Sequence, residues 1–303
     1  VSSPRVLVTR DPAAALPLAV LLRERGCEPL AARLLEAQLP ADTRPLRRLL
    51  REATEPAVPT WLCVTSATTV AALAAVAESP DWGAVLDAAR RGPSGSAPAG
   101  GGRLGLRTAS VGAATTRALG EYGVGVDFAP SSASSAAGML AEWPEDPRAV
   151  PSAQTWRVLL PVSSLASRTL QDGLTDRGYR VERVSAYETV PAPAARPLAS
   201  GPVPTDAPPE WTSEHARAAC ATGAVAAVVV TAPSRAAALL NGNIPAEDVA
   251  WVAIGEPTAQ ALRHHGVAPV TAAQPTPDAL AAAVGAALGR PTGSGTSRTT
   301  RTT

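Results

Sequence analysis

The chain has 303 residues, of which 46% are apolar but only 3% aromatic, and a formal net charge of +1. That length fits two domains at roughly 100–200 residues each, and the charge balance excludes the clustered basic face of a nucleic-acid binder. All 27 basic residues are Arg, which excludes a Schiff-base lysine and a P-loop lysine.

With so few aromatics, the core must be Ala, Val and Leu, a composition suited to helices packed on buried parallel strands. The three cysteines, Cys27, Cys63 and Cys220, form no C-x-x-C pair. They point to a reduced, cytoplasmic setting and away from a disulfide framework or a zinc site. No segment reads as a signal peptide. Apolar runs such as Ala224–Ala232 are too short to cross a bilayer, so no membrane association is expected.

The predicted elements follow in chain order. RVLVTR, ending at Arg10, is a buried strand, ALPLAVLLRERG a helix closed by Gly26, and CEPLAARLLEAQL a second strand. WLCVTSATTVAALAAV begins at Trp61 as a strand that runs straight into a helix. The Gly-rich stretch Gly92–Gly102 reads as a flexible insertion. ASVGAATTRALGEYGVGV is another strand and helix, followed by the polar loop and helix of PSSASSAAGMLAEW. From Trp156 the pattern restarts. WRVLLPV, RTLQDGLTDRG and YRVERVSAYETV repeat strand, helix and strand, with Gly178 in the place of Gly26. Glycine there is the expected left-handed helix cap. The Pro-rich Gly201–Pro209 reads as a loop. AVVVTAPSRAAALL, VAIGEPTAQALRHHGVAPV and QPTPDALAAAVGAAL then repeat the elements that began at Trp61. The tail, residues 290–303, has no apolar anchors and is expected to be disordered.

The chain is therefore a duplicated α/β unit, with parallel sheets flanked by helices. Four strand-to-helix junctions draw attention. They are Thr65-Ser66-Ala67, Gly112-Ala113-Ala114-Thr115, Thr231-Ala232-Pro233-Ser234 and Gly255-Glu256-Pro257-Thr258. Such junctions gather at the carboxyl ends of parallel strands, where open sheets bind ligands. Helix N-termini there favour anions. Taken singly, each Thr or Ser is more simply an N-cap. All four together point to anion binding. The sequence carries neither G-x-G-x-x-G nor G-x-x-x-x-G-K-[ST], so nucleotide binding lacks its main support. His264 and His265 fall in the last turn of a helix and His215 in a surface segment. No spacing suggests a metal, and no cofactor is expected. Tyr187, one of three tyrosines, ends a strand where the repeats meet. A buried structural Tyr is the simpler reading, and its position alone favours a functional one.

The pieces VLVTR, VTSATTV, VGAATTRAL, RVERVSAYETVP, VVVTAPS, AIGEPTAQALRHHGV and PTPDAL, in this order, resemble the uroporphyrinogen-III synthase family over Arg5 to about Leu288. The resemblance implies two similar α/β domains joined by a two-stranded linker. Residues 1–34 and 191–289 would form a discontinuous first domain, and residues 40–180 the second. It implies a monomeric, cofactor-free lyase of porphyrin and heme biosynthesis. That enzyme cyclises hydroxymethylbilane, losing water and inverting the last pyrrole ring. Tyr187 matches the family tyrosine thought to assist departure of the hydroxyl. Arg10, Thr65, Ser66, Gly112, Thr115, Ser234, Gly255 and Thr258 fall at substrate-binding positions in an interdomain cleft. Ala232 stands where the family often has Ser. That departure leaves open a non-catalytic relative that binds a tetrapyrrole or another anion.

Overall fold

The computed structural model describes residues 3–91, 105–144, 156–198 and 201–289. The Gly92–Gly102 insertion and the 290–303 tail lie outside the described residues. The chain divides into two units. The first comprises residues 1–36, 191–193 and 200–303, and the second residues 37–190 and 194–199.

The first unit holds a six-stranded sheet. Its strands are β1 (Arg5–Val8), β2 (Glu28–Ala32), β8 (Glu210–Trp211), β9 (Ala227–Val230), β10 (Ala250–Ala253) and β11 (Val270–Thr271), in spatial order β11-β10-β9-β1-β2-β8. Every pairing is parallel. β1 sits between β9 and β2, with Val6 opposite Ala227 on one side and Pro29 on the other. Successive side chains of a strand point to opposite faces, and β1 is buried on both. Leu7 packs with Val228 and Val230 against α8 (Ser213–Thr222), α9 (Pro233–Leu240) and α10 (Glu256–His264). Val6 and Val8 pack with Val229 against α1 (Pro12–Glu24) and α11 (Pro277–Ala287). The helices following β1 and β9 thus cover opposite faces, which makes the β1/β9 boundary the topological switch point of this sheet. α1 starts where the Asp11 carboxylate accepts the Ala14 N–H at 3.0 Å and Pro12 fills the first turn. It ends before Gly26, whose φ of +69° is the left-handed cap.

The second unit repeats the scheme with five strands. They are β3 (Leu35–Gln38), β4 (Thr60–Val64), β5 (Leu106–Ser110), β6 (Arg157–Ser163) and β7 (Arg180–Pro191), in order β3-β7-β6-β4-β5. One face packs on α2 (Arg44–Thr54), α3 (Ala67–Val76), α4 (Trp82–Arg91) and α5 (Ala113–Glu121). The other packs on α6 (Ala136–Glu142) and α7 (Thr169–Asp176) through Trp61, Cys63, Met139 and Trp143. α3 follows β4 on the first face and α7 follows β6 on the second, so the β4/β6 boundary is the matching switch point. Burial pushes the Cys63 thiol up to about 12, so it is an apolar filler rather than a nucleophile. The single strand expected over CEPLAARLLEAQL is two, β2 and β3, in different sheets, and the two-residue β8 and β11 are not separable from loops in the sequence. A strand of two residues exists only because a neighbour pairs with it.

β1 belongs to a unit whose remaining sheet partners are mostly C-terminal, and it contributes Val6, Leu7 and Val8 to both of that unit's cores. A fragment of residues 200–289 alone is expected to lack a cooperative thermal transition, and addition of a peptide of residues 1–36 should restore one. Circular dichroism melts of the two mixtures check this, and a sharp transition in the fragment alone would contradict it.

Candidate functional site

In each unit the parallel strands end on one edge, and that edge carries the predicted residues. In the second unit, Ser66 caps α3. Its Oγ accepts the Thr69 N–H at 3.1 Å and lies 3.0 Å from the Thr69 hydroxyl and 3.4 Å from that of Tyr187. Tyr187 reaches this point because β7 runs beside β6, where Ser163 pairs with it and the Ser164 N–H donates to its carbonyl at 2.9 Å. The ring packs, half-buried, on the face that holds Leu62 and Val64. A hydroxyl pair at 3.4 Å is longer than the usual ~2.7–2.8 Å. The contact that holds the Tyr187 hydroxyl is therefore a long one. Thr65 stands between β4 and the cap. Ser163 and Ser164 complete this crevice. Ser163 ends β6 and Ser164 follows it, and the sequence does not single them out.

Gly112 and Thr115 lie one strand further out, after β5. Gly112, not the threonine, occupies the N-cap of α5, and no side chain caps it. Thr115 is the third helical residue and only 3% exposed. Thr258 holds the same place in α10 behind Gly255 and is 2% exposed. The capping expectation is thus corrected for both threonines. The last extended residue is a glycine in each junction, and the threonine three places on turns inward. The two glycines differ in surroundings. A Cβ on Gly112 would fall 2.5 Å from Ser134 Oγ, whereas one on Gly255 would meet nothing within 4 Å.

Ser134 belongs to a loop held by Glu142, whose carboxylate accepts from the backbone and hydroxyls of Ser131 and Ser132. The Ser132 hydroxyl, then the loop's N–H groups and the Ser131 hydroxyl, pull this carboxyl down from 4.5 to about 2.

In the first unit, the switch point is locked by two threonines. The Thr9 hydroxyl donates to the Val229 carbonyl at 3.1 Å and accepts the Thr231 N–H at 3.3 Å, while the Thr231 hydroxyl donates to the Thr9 carbonyl at 3.3 Å. Arg10 follows Thr9, half-buried. α9 begins at Ala232, which offers no side-chain cap, and Ser234 lies exposed in its first turn. The Gly255 junction departs from the anion-site expectation, because Glu256 brings a carboxylate into the first turn of α10. Arg263 engages it at 2.7 Å and lowers its pKa. The histidines carry no site. His264 is exposed at the end of α10, and His215 stacks on Trp211 with centroids 4.1 Å apart. Among the described residues, no three His, Cys, Asp or Glu side chains gather as metal ligands, and no helix is long and apolar enough to cross a membrane.

Two copies of one doubly wound unit, each with a polar switch point at the carboxyl edge of a parallel sheet, define a duplicated α/β protein. A family model described as uroporphyrinogen-III synthase HemD matches residues 17–282. The chain belongs to the uroporphyrinogen-III synthase family. Solved structures with the same fold include uroporphyrinogen-III synthetase from Helicobacter pylori, at 16% identity and a TM-score of 0.52 over 94% of this chain and 99% of that one. A mutant uroporphyrinogen III synthase from Thermus thermophilus aligns at 18% identity and a TM-score of 0.51, over 89% of this chain and 92% of that one. No curated protein sequence matches the chain significantly.

Two predictions test these surroundings. Gly112→Ala and Gly255→Ala should share an N-cap cost of under about 1 kcal/mol. Gly112→Ala should lose about 1–3 kcal/mol more, because Ser134 must give way. Urea unfolding of the two variants measures the difference, and equal losses would remove Ser134 from the packing. Glu142 has a folded pKa below its ordinary value, so its contribution is fully present above about pH 4.5 and is lost as pH falls toward 2. The stability gap between the wild type and Glu142→Gln should therefore close over that range in pH-dependent melts.

Proposed function

We propose that the chain converts hydroxymethylbilane to uroporphyrinogen III, losing water, closing the macrocycle and inverting the last pyrrole ring. Family membership supports the class of reaction. The observation that carries the finer reading is the Tyr187 hydroxyl, which lies at the β4/β6 switch point beside the Ser66 hydroxyl. A tyrosine hydroxyl there can donate a hydrogen bond to the departing oxygen as it leaves the electron-rich pyrrole as water. Ser66 and Thr69 form a preset hydroxyl pair behind it, so the tyrosine's proton stays in a defined network.

The substrate is rich in carboxylates, and the residues offered to it match that charge. Arg10 and Ser234 lie at the strand ends of the first unit. Gly255 leaves the backbone open to an uncharged part of the substrate, since the Glu256 carboxylate beside it disfavours an acidic arm. Thr115 and Thr258, being buried, act in this reading by fixing the helix starts rather than by touching substrate. Much of the reactivity belongs to the pyrroles, so the protein's main task is to hold the chain in the geometry that yields the inverted isomer. A second reading, a tetrapyrrole binder without turnover, draws on the uncapped Ala232 start of α9.

Incubation with enzymatically made hydroxymethylbilane, followed by separation of the type I and type III isomers, distinguishes the two. The expected product is type III. Tyr187→Phe removes only the hydroxyl and should slow turnover by about 10²-fold, the lower end for general acid assistance, with the product still type III. Wild-type protein giving only type I at the spontaneous rate would reject the enzyme reading, and unchanged kinetics in Tyr187→Phe would remove that residue from the mechanism.

A further inference from the structure

The two halves of the duplication differ at the start of one pair of equivalent helices. WLCVTSATT in β4 and α3 matches AVVVTAPSR in β9 and α9, so Ser66 corresponds to Ala232 and Thr69 to Arg235. In the second unit, the third helical residue, Thr69, is fully buried and closes on the cap hydroxyl of Ser66. In the first unit, the third residue of the helix is an arginine and the cap has no hydroxyl. Arg235 turns back instead, and its Nη1 donates to the Thr231 hydroxyl at 3.0 Å. That hydroxyl in turn donates to the carbonyl of Thr9, the residue before Arg10. The threonine latch therefore brings a guanidinium from α9 to the strand end that launches Arg10, from the opposite side of the switch point.

Two like charges held this way repel each other. Neither Arg10 nor Arg235 has a carboxylate within ion-pair distance among the described residues. Burial and then the like charge of Arg10 lower the Arg235 pKa, with Asp11 opposing them only in part. Asp11 is itself committed to the Ala14 N–H as the cap of α1. Thr231 accepts one hydrogen bond from a group that has five donors. α9 adds no acidic group in its first turn, unlike α10 with Glu256. Arg235, tied through Thr231 to the strand end that leads into Arg10 and in no ion pair among the described residues, stands where an open parallel sheet takes its ligand, and a guanidinium so placed suits an anion.

We infer that Arg10 and Arg235 form a two-armed carboxylate seat at the β1/β9 switch point, making Arg235 a substrate-binding residue that fixes one acidic side chain of the tetrapyrrole. The inference rests on the reading under Proposed function for the identity of its ligand. Planar guanidiniums pair with carboxylates in a forked geometry that a lysine ammonium does not reproduce. The seat thus recognises a carboxylate arm by direction as well as charge.

Three variants, Arg235→Gln, Arg235→Lys and Arg10→Gln, are measured in the full chain, with hydroxymethylbilane as substrate and uroporphyrin as a stable carboxylate-rich probe for direct binding. Loss of a charge-assisted pair should raise KM and the probe Kd about tenfold or more in Arg235→Gln and in Arg10→Gln, with kcat falling less. Arg235→Lys should recover part of the loss. The Gln variants should melt no lower than the wild type without ligand, since they relieve repulsion, whereas a purely structural Arg235 would give a lower Tm and leave probe affinity unchanged. Turnover in the wild type together with unaltered KM and Kd in both Gln variants would overturn the seat and leave the enzyme reading intact. No turnover, but probe binding that depends on both arginines, would keep the seat and discard the enzyme reading.

Discussion

Everything in each unit depends on a pair of neighbouring parallel strands buried on both faces, with helices leaving them in opposite directions. β1 and β9 do this in the first unit, and β4 and β6 in the second. A strand covered on both sides must be continuously apolar, which is why RVLV and AVVV show no polar alternation. Polar chemistry can then appear only where such a strand stops. Helices that diverge from adjacent strand ends leave a gap that neither helix covers, and the residues just past the strands line it. The scaffold thereby decides where function can sit before any functional residue is chosen.

The duplication has been used asymmetrically. One copy ends its strands in neutral hydroxyls, with Ser66 within hydrogen-bonding reach of both Thr69 and Tyr187. The other ends them in guanidiniums, with Arg235 tied to the threonine latch and Arg10 next to it. Hydroxyls move or share protons near neutrality without carrying charge, and guanidiniums hold charge without releasing protons. The first set suits the departure of a hydroxyl group. The second suits holding a polyanion still. Ser66 against Ala232 and Thr69 against Arg235 are part of the contrast, and Tyr187 and Arg10, each without a like residue in the other copy, supply the rest.

Most of this architecture was legible in the sequence. The ordered matches from Arg5 and Trp156, and from Trp61 and Ala227, set out the α/β class. The glycines after the helices marked their ends, as the positive φ values of Gly26 and Gly178 show. Strand ends drew attention to Ser66 and Tyr187. What stayed hidden depended on tertiary neighbours. β8 and β11, two residues each, carry no signal of their own. Thr115 and Thr258 looked like caps because threonine is a common cap, yet a glycine sits at the boundary and the threonine side chain goes inward. Arg235 was passed over because the chain is rich in arginine, so no single one stands out until its hydrogen bond to Thr231 is seen. Ser163 and Ser164 gain meaning only when β6 is known to lie beside β4.

The order in which the chain emerges during synthesis bears on the discontinuous first unit. β1 and β2 leave the ribosome before the rest of their unit, but β9, which closes β1 on its other side, is more than 190 residues later. The second unit is nearly continuous and can settle in the interval, since domains tend to fold as they are completed. Val6, Leu7 and Val8 must meanwhile wait with one strand edge unpaired. Synthesis at roughly 5–20 residues per second makes that wait on the order of ten seconds or more. Closing so long a loop also places a late, non-local contact at the centre of the sheet, a topology that slows folding. The nascent chain therefore offers chaperones the apolar β1 segment until β9 emerges, and the strand that organises the finished unit is secured late.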